Sequence, residues 1–138
     1  ELVTPEKVAW SAPADFVVLP ASEGEMGVLP GHQSFLVKLS MGEVRVSDGG
    51  QIKRFAVSGG FAEIKDDAIS LFAETAETAE QIDAERAKQA LEKAKAASAK
   101  PGLDPMQLAE MDAAIRRAQV RLRVSRRTKV PPPHMPER

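Results

Sequence analysis

The chain has 138 residues and a formal net charge of −1, and 43% of its residues are hydrophobic. That length fits one domain, or one domain with an appendage, and the apolar content is enough for a core. The chain has no Cys, which excludes disulfides and thiolate metal sites and suits a reducing compartment. The two histidines, His32 and His134, lie far apart in the sequence, so we expect no metal site.

The sequence has none of the features of a membrane-spanning or secreted chain. No apolar run approaches the ~20 residues of a membrane span, and the N-terminus lacks a signal pattern. We therefore expect a soluble, cytosolic protein. Because the chain starts at Glu1 instead of Met, we also expect that a short leader has been processed or left out.

Charge is distributed unevenly along the chain. Residues 1–80 carry 13 acidic and 6 basic side chains, whereas residues 81–138 carry 7 acidic and 13 basic ones. Such a split suggests two parts with different surfaces and different partners. We divide the chain into an N-terminal domain, 1–80, a C-terminal helix-turn-helix, 81–130, and a flexible Pro-rich tail, 131–138.

The first eighty residues read as short strands separated by turn signals. Apolar and polar residues alternate at 43–47 and 68–71, as in strands with one buried face. Hairpin turns are expected at 48–50 and 66–67. The strands that we predict are 2–3, 8–10, 15–19, 27–29, 35–39, 43–47, 51–57, 61–65 and 68–73. With about ten short antiparallel strands, the pattern predicts an all-β sandwich or barrel.

After residue 74 the composition becomes typical of helices. Residues 75–81 read as a linker, and the strong helix formers at 83–99 predict a helix whose N-cap is Thr78 or Asp83. The apolar side of this helix is made mostly of alanines. It would bury little area, so we expect it to dock weakly.

A second helix is expected to begin at Pro105. Asp104 precedes it as an N-cap, with Gln107 three residues later in a version of the capping box. Proline at 131–133 stops all helix. The connection is short, so the two helices should form an antiparallel hairpin. An apolar stripe runs through the second helix at Leu108, Met111, Ile115, Ala118 and Leu122.

Arginines are concentrated in this second helix, with no acidic residue between 113 and 136. On a helical wheel, Arg116, Arg123 and Arg127 line one flank of the apolar stripe, while Arg117 and Arg121 point towards the back. The simplest interpretation is a solvated helix face; the alternative is contact with an acidic protein surface or with phosphates. Nucleic acid is disfavoured, because the chain is slightly acidic and no aromatic side chain interleaves with the arginines.

No catalytic set can be assembled from this sequence. There is no Ser-His-Asp arrangement, no phosphate-binding loop that ends in Gly-Lys-Ser/Thr and no carboxylate pair. Gly59 and Gly60 follow Ser58 without a lysine, and they fit a sharp corner between strands. We therefore expect that the protein catalyses nothing by itself.

The stretch 23–32 has the order Glu-Gly-Glu-x-Gly-x-x-Pro-Gly-His, which resembles the epsilon subunit of bacterial ATP synthases. The mitochondrial counterpart is called delta. The likeness runs nearly end to end, through Ser58–Phe61 and Ile82–Ala87 into the last helix. It implies a non-catalytic subunit of the rotor's central stalk that binds the gamma subunit and sits on the c-ring. It also implies a peripheral position at the cytoplasmic face of the bacterial plasma membrane, without insertion into the membrane.

The resemblance assigns roles to two sets of residues at partner surfaces. Glu25 and His32 match the loop that meets the c-ring, although His32 considered alone is a hydrogen-bonded surface or corner residue. In the family the hairpin is the movable part, folded down on the sandwich or extended along gamma. In the extended state, Arg116, Arg123 and Arg127 would meet acidic segments of the catalytic beta subunits and block reverse rotation.

The resemblance also implies a regulatory ligand. Ile82, Asp83, Arg86 and Ala87 complete the pattern at which some family members bind ATP, although a local ion pair between Asp83 and Arg86 is the simpler interpretation. No cofactor is required. The rival hypothesis is a stand-alone ATP-sensing β-sandwich module with no rotary partner, and a bound nucleotide without gamma would favour it.

Overall fold

In the computed structural model, ten strands form two sheets and are followed by two helices. The structure describes residues 1–31 and 34–129, with side chains as far as 126. His32 and the predicted tail, 131–138, lie outside the described residues. The elements are β1 (Leu2–Val3), β2 (Val8–Trp10), β3 (Phe16–Ala21), β4 (Gly24–Val28), β5 (Phe35–Lys38), β6 (Gly42–Asp48), β7 (Gln51–Val57), β8 (Gly60–Lys65), β9 (Ala68–Ala73), β10 (Ala76–Thr78), α1 (Ala84–Ser98) and α2 (Pro105–Lys129).

Each sheet has five strands. The first sheet has the order β2-β1-β9-β8-β5, and the second has the order β10-β7-β6-β3-β4. Their pairing is antiparallel except between β1 and β9, which run parallel with Leu2 opposite Leu71. The predicted class, an all-β sandwich followed by a helical hairpin, is confirmed. Among the described strands, this parallel pair is the one departure from a fully antiparallel arrangement.

The predicted hairpin turns lie where the sequence placed them. Gly49 and Gly50 join β6 to β7, and Asp66 and Asp67 join β8 to β9, with positive φ at all four residues. Two-residue hairpin loops favour this conformation because its twist matches the twist of the strands. The corner before β8 depends on glycine, since a Cβ at Gly60 would lie 1.9 Å from the Phe72 carbonyl oxygen.

The sandwich core lies between the two sheets and follows from strand alternation. Val44 and Val46 of β6, and Phe55 of β7, point into it, and each is at most 4% exposed. On the opposite sheet, Ala62 and Leu71 fill the facing positions. The residues between them in sequence point outward, so each sheet also has an outer face.

The prediction of a linker at 75–81 is wrong for part of its length. Residues 76–78 form strand β10, in which Ala76 lies opposite Val57 and Thr78 lies opposite Phe55. A three-residue strand rich in Ala, Thr and Glu carries no alternation that sequence can detect, and only its partner strand defines it. The strand predicted at 27–29 begins earlier, at Gly24.

The helices form the predicted antiparallel hairpin, and α2 packs against the outer face of the second sheet. Asp83, not Thr78, caps α1, accepting a hydrogen bond from the Arg86 backbone N–H at 3.1 Å. Asp104 and Gln107 make the reciprocal capping box at the start of α2, at 2.8 and 3.0 Å. Small residues fill the contact between the helices, and Ala87 and Ala118 are buried there.

Candidate partner-binding surfaces

The hairpin lies on the sandwich through a second apolar cluster. Ala56, which faces outward from β7, is 5% exposed beneath the hairpin, and Met41 packs at the edge of the same cluster. From α2, Val120 and Val124 complete the contact at 7% and 0% exposure. The hairpin is therefore folded down on the sandwich in this structure.

Sequence reasoning missed this second apolar face of α2. In the stripe it identified, from Leu108 to Leu122, Ala118 and Leu122 are buried, whereas Leu108 is 40% exposed. Val120 and Val124, four residues apart, form a further row towards the sandwich. The four-residue spacing of these valines could have indicated the second face. A helix with one apolar stripe and many arginines does not by itself indicate a second buried side.

The arginines of α2 are divided between the sandwich side and the solvent. Arg121, expected at the back, pairs with Glu77 of β10, with its Nη2 3.1 Å from the Glu77 Oε2. Arg116 and Arg123 are exposed, as the prediction of a contact surface requires. The side chain of Arg127 lies outside the described residues.

Glu25 belongs to a network of charges on the outer face of the second sheet. Its carboxylate receives two hydrogen bonds from Arg45, both at 2.9 Å, and its side chain is 60% exposed. Arg45 also contacts the buried Glu43 at 3.3 Å, and Arg54 reaches the same Glu43 oxygen at 2.8 Å. These carboxylates, Glu25 foremost, raise the pKa of the Arg45 guanidinium. The network holds Glu25 in place while leaving it accessible to a partner.

The described part of the loop after β4 contacts the opposite sheet through a hydrogen bond donated by its backbone. The Gly31 backbone N–H donates to Asp67 Oδ1 at 2.9 Å, and Gly31 has a φ of +81°, as the predicted turn requires. His32, the neighbouring residue predicted to meet the c-ring, lies outside the described residues.

Three of the four residues in the predicted ATP motif have structural roles. Ile82 and Ala87 are buried, at 7% and 0% exposure, in the cluster beneath the hairpin. Asp83 caps α1, and the side chain of Arg86 is exposed. The exposed guanidinium and the cap carboxylate are the groups that a ligand could reach, so the ATP site stays a prediction.

The first sheet exposes aromatic and aliphatic side chains on its outer face, which sequence reasoning did not single out. Phe61 and Phe72 lie opposite each other on β8 and β9, with ring centroids 5.2 Å apart. Phe61 is 48% exposed, and Leu36 on the adjacent β5 is 66% exposed. We call Leu36, Phe61 and Phe72 the apolar strip. Its signal in the sequence is the presence of phenylalanine at strand positions that otherwise point to solvent.

Neither helix in the described part of the chain is long and apolar enough to cross a membrane. The sandwich exposes an apolar strip on one sheet and carries a cationic helical hairpin on the other. These two features are typical of a subunit that functions within a larger protein assembly.

Comparison with known proteins identifies the assembly. Residues 1–79 match the family described as "ATP synthase, Delta/Epsilon chain, beta-sandwich domain", and residues 80–126 match "ATP synthase, Delta/Epsilon chain, long alpha-helix domain". The ATP synthase epsilon chain of Syntrophobacter fumaroxidans is 43% identical over 128 residues, covering 93% of this chain and 95% of the relative. That of Desulforamulus reducens is 50% identical over 94 residues, covering 68% and 71%.

Two solved structures of ATP synthases contain chains that are similar to this one. A chain in the Euglena gracilis mitochondrial ATP synthase structure, described as OSCP/F1/c-ring, matches with a TM-score of 0.74 and 30% identity, over 86% of this chain and 76% of that one. A chain in the Tetrahymena thermophila central stalk/c-ring structure shares the fold, with a TM-score of 0.59 and 17% identity over 94% and 93%. The protein belongs to the delta/epsilon family of ATP synthase subunits, as its resemblance to the epsilon subunit indicated.

Proposed function

We propose that this chain is a non-catalytic central-stalk subunit of a proton-translocating ATP synthase, which couples rotation between the c-ring and the catalytic head. The observation that carries this proposal is the match of both parts of the chain to the family, together with relatives that cover nearly its full length. The stand-alone ATP-sensing module is disfavoured, because the hairpin and the sandwich match together. We assign the subunit to the membrane periphery and, as part of this proposal, to the cytoplasmic face.

The apolar strip is the surface that we assign to gamma. Exposed aromatic side chains are enriched at the centres of protein interfaces, where they bury large area at small entropic cost. Phe61 and Phe72 already pack against each other, so their rings are positioned before a partner arrives. The hairpin covers the other sheet, which leaves the outer face of the first sheet available for a large contact.

The c-ring contact is assigned to Glu25 together with His32. Arg45 fixes the Glu25 carboxylate by two hydrogen bonds, yet the side chain remains 60% exposed. A basic loop on the partner could therefore share this carboxylate with Arg45 without moving the strand. Charge complementarity of this kind mainly sets the orientation and rate of association.

Regulation of ATP hydrolysis is assigned to the hairpin. Arg116 and Arg123 are exposed on α2 while the hairpin is folded down, and they form the cationic surface that acidic segments of the catalytic beta subunits would meet after it extends. ATP bound near Asp83 and Arg86 would be a regulatory ligand that favours one of these positions. Arginine suits such a role because its guanidinium can bind a phosphate through two donors.

The test of the proposed function is binding to purified gamma. Replacing Phe61 and Phe72 together by serine should weaken binding at least about tenfold, since aromatic anchors dominate the energy of such interfaces. The matched control is Ile52→Ser, which removes a side chain of 54% exposure from the second sheet. Equal affinities for all three proteins would overturn the assignment of the strip, and no gamma binding by the unaltered chain would overturn the rotor function.

A further inference from the structure

Glu77 and Arg121 form an ion pair that joins the sandwich to the hairpin. Arg121 Nη2 donates to Glu77 Oε2 at 3.1 Å, and Arg121 Nε lies 2.9 Å from Glu77 Oε1 in a close ionic contact. The other described ion pairs, among Glu25, Glu43, Arg45 and Arg54, lie within the second sheet. The Glu77–Arg121 pair therefore differs from them in linking two parts of the molecule.

The pair links the start of the hairpin segment to its C-terminal part. Glu77 lies on β10, the last strand before the connection that leads to the cap of α1, and Arg121 lies 44 residues further along, near the end of α2. The contact thus closes the chain across the base of the hairpin. Detachment of α2 from the sandwich would separate these two side chains.

The apolar contact beside the pair is small. Its buried side chains are mostly alanine and valine, with one isoleucine and one leucine: Ala56, Ala79, Ile82, Ala87, Val120, Leu122 and Val124. Alanine and valine bury little area compared with the leucine and phenylalanine of the sandwich core. An ion pair with side chains 26% and 32% exposed is shielded enough to contribute to such a contact.

We propose that the Glu77–Arg121 pair is a clasp that holds α2 on β7 and sets how often the hairpin detaches from the sandwich. This inference rests on the proposed role of the hairpin as the movable part, and it assigns to one pair of residues the control of that movement. A cavity of about 500 Å³, lined by Lys7, Glu74 and Arg117, opens beside the pair. Glu77 and Arg121 themselves line this cavity and neither belongs to the sandwich core, so the pair lies outside that core.

The chain has no cysteine, which allows detachment to be measured by thiol labelling. Ala56→Cys places a thiol of nearly the same size at a position that is 5% exposed beneath α2. A thiol reagent reacts with it only when the hairpin lifts, so its labelling rate reports the opening equilibrium. Val44→Cys, at a position that is 0% exposed in the sandwich core, is the control that reports unfolding of the sandwich.

Four clasp variants of the full chain are compared in the Ala56→Cys background. They are Glu77→Gln, Arg121→Gln, the two combined, and the exchange Glu77→Arg with Arg121→Glu. Arg123→Gln is the matched control, because it removes the same charge from an exposed position of the same helix. Labelling of the Val44→Cys versions shows whether a variant has destabilised the sandwich.

Each single clasp variant should speed labelling at position 56 about fivefold, with no change at position 44. The combined variant should be no faster than either single one, the exchange should recover part of the protection, and Arg123→Gln should match the parent. Additive single effects, or an equal effect of Arg123→Gln, would overturn the clasp. Labelling at position 56 no faster than at position 44 throughout would also overturn it and would leave the binding of gamma untouched.

Discussion

The sandwich and the hairpin differ in how much apolar packing each contains internally. In the sandwich, Leu19, Val44 and Phe55 are at most 1% exposed and belong to one continuous core between two sheets. In the hairpin, the buried side chains between the helices are mainly alanines, such as Ala87 and Ala94. The same chain therefore combines a sandwich with a large apolar core and a hairpin whose helices meet through smaller side chains. Changes in one part should leave the other largely unaffected.

The largest effect is expected from the sandwich core. Phe55→Ala should lower the free energy of unfolding of the sandwich by about 3–5 kcal/mol, because the cavity it leaves cannot collapse between two sheets. Phe55 is 1% exposed, whereas Ile52 on the same strand is 54% exposed. Denaturant unfolding of Phe55→Ala and Ile52→Ala measures the difference. A loss for Ile52→Ala as large as that for Phe55→Ala would contradict the assignment of the core.

The next effect concerns the glycine corner before β8. Gly60→Ala should destabilise the sandwich by at least about 2 kcal/mol, since its Cβ would meet the Phe72 carbonyl oxygen at 1.9 Å. Gly102→Ala is the control: Gly102 also has a positive φ, of +84°, but nothing lies within 4 Å of its added Cβ. Gly102→Ala should lower the free energy of unfolding of the hairpin by about 1 kcal/mol and leave that of the sandwich unchanged. Thermal unfolding of the two variants would show the contrast, and equal losses would refute it.

A smaller effect is expected from the cap of α2. Asp104→Ala removes the acceptor for the Gln107 N–H, a 2.8 Å hydrogen bond, and should cost the hairpin about 1 kcal/mol. Far-UV circular dichroism should show an earlier loss of helix on heating, while the unfolding of the sandwich stays unchanged. Asp112→Ala, at an exposed position within the same helix, is the control. If Asp104→Ala also shifted sandwich unfolding, the two parts would not be separable.

The smallest effect is expected from Glu25. Its pair with Arg45 has good geometry, but the carboxylate side chain is 60% exposed, so solvent screens it. Glu25→Gln should change stability by no more than about 0.5 kcal/mol. Its effect should appear instead as slower association with the c-ring at low salt, measured with Glu23→Gln as a neighbouring control. A large loss of stability would mean that Glu25 mainly stabilises the fold, which would contradict its assignment to partner binding.

Local patterns predicted most of the sandwich because each signal was strong by itself. The alternation of β6 and the turns at Gly49 and Asp66 are features of short segments. Strand β10 was missed because its pairing with β7 is a tertiary contact without a local signature. The outer faces were missed for a related reason: alternation shows which side chains point out, as for Phe61, but not which exposed face meets a partner.

The functional residues were less accessible to sequence reasoning than the fold. The resemblance at 82–87 suggests a ligand site, which stays a prediction, whereas the burial of Ile82 and Ala87 and the capping role of Asp83 are seen only in the structure. The Glu77–Arg121 contact joins residues 44 positions apart and depends on how α2 lies on β7. The sequence shows that Glu77 and Arg121 are charged, but it does not show how α2 lies on the sheet and therefore which charges form a pair.

The most direct test of the division between sandwich and hairpin is the affinity for gamma of the full chain and of a version that ends at Thr78. Circular dichroism and thermal unfolding first establish that the shorter version keeps a folded sandwich. The sandwich carries the apolar strip, so the two affinities should agree within about threefold, a difference of less than 1 kcal/mol. A folded short version that no longer binds gamma would show that the hairpin is part of the assembly surface, contrary to this account.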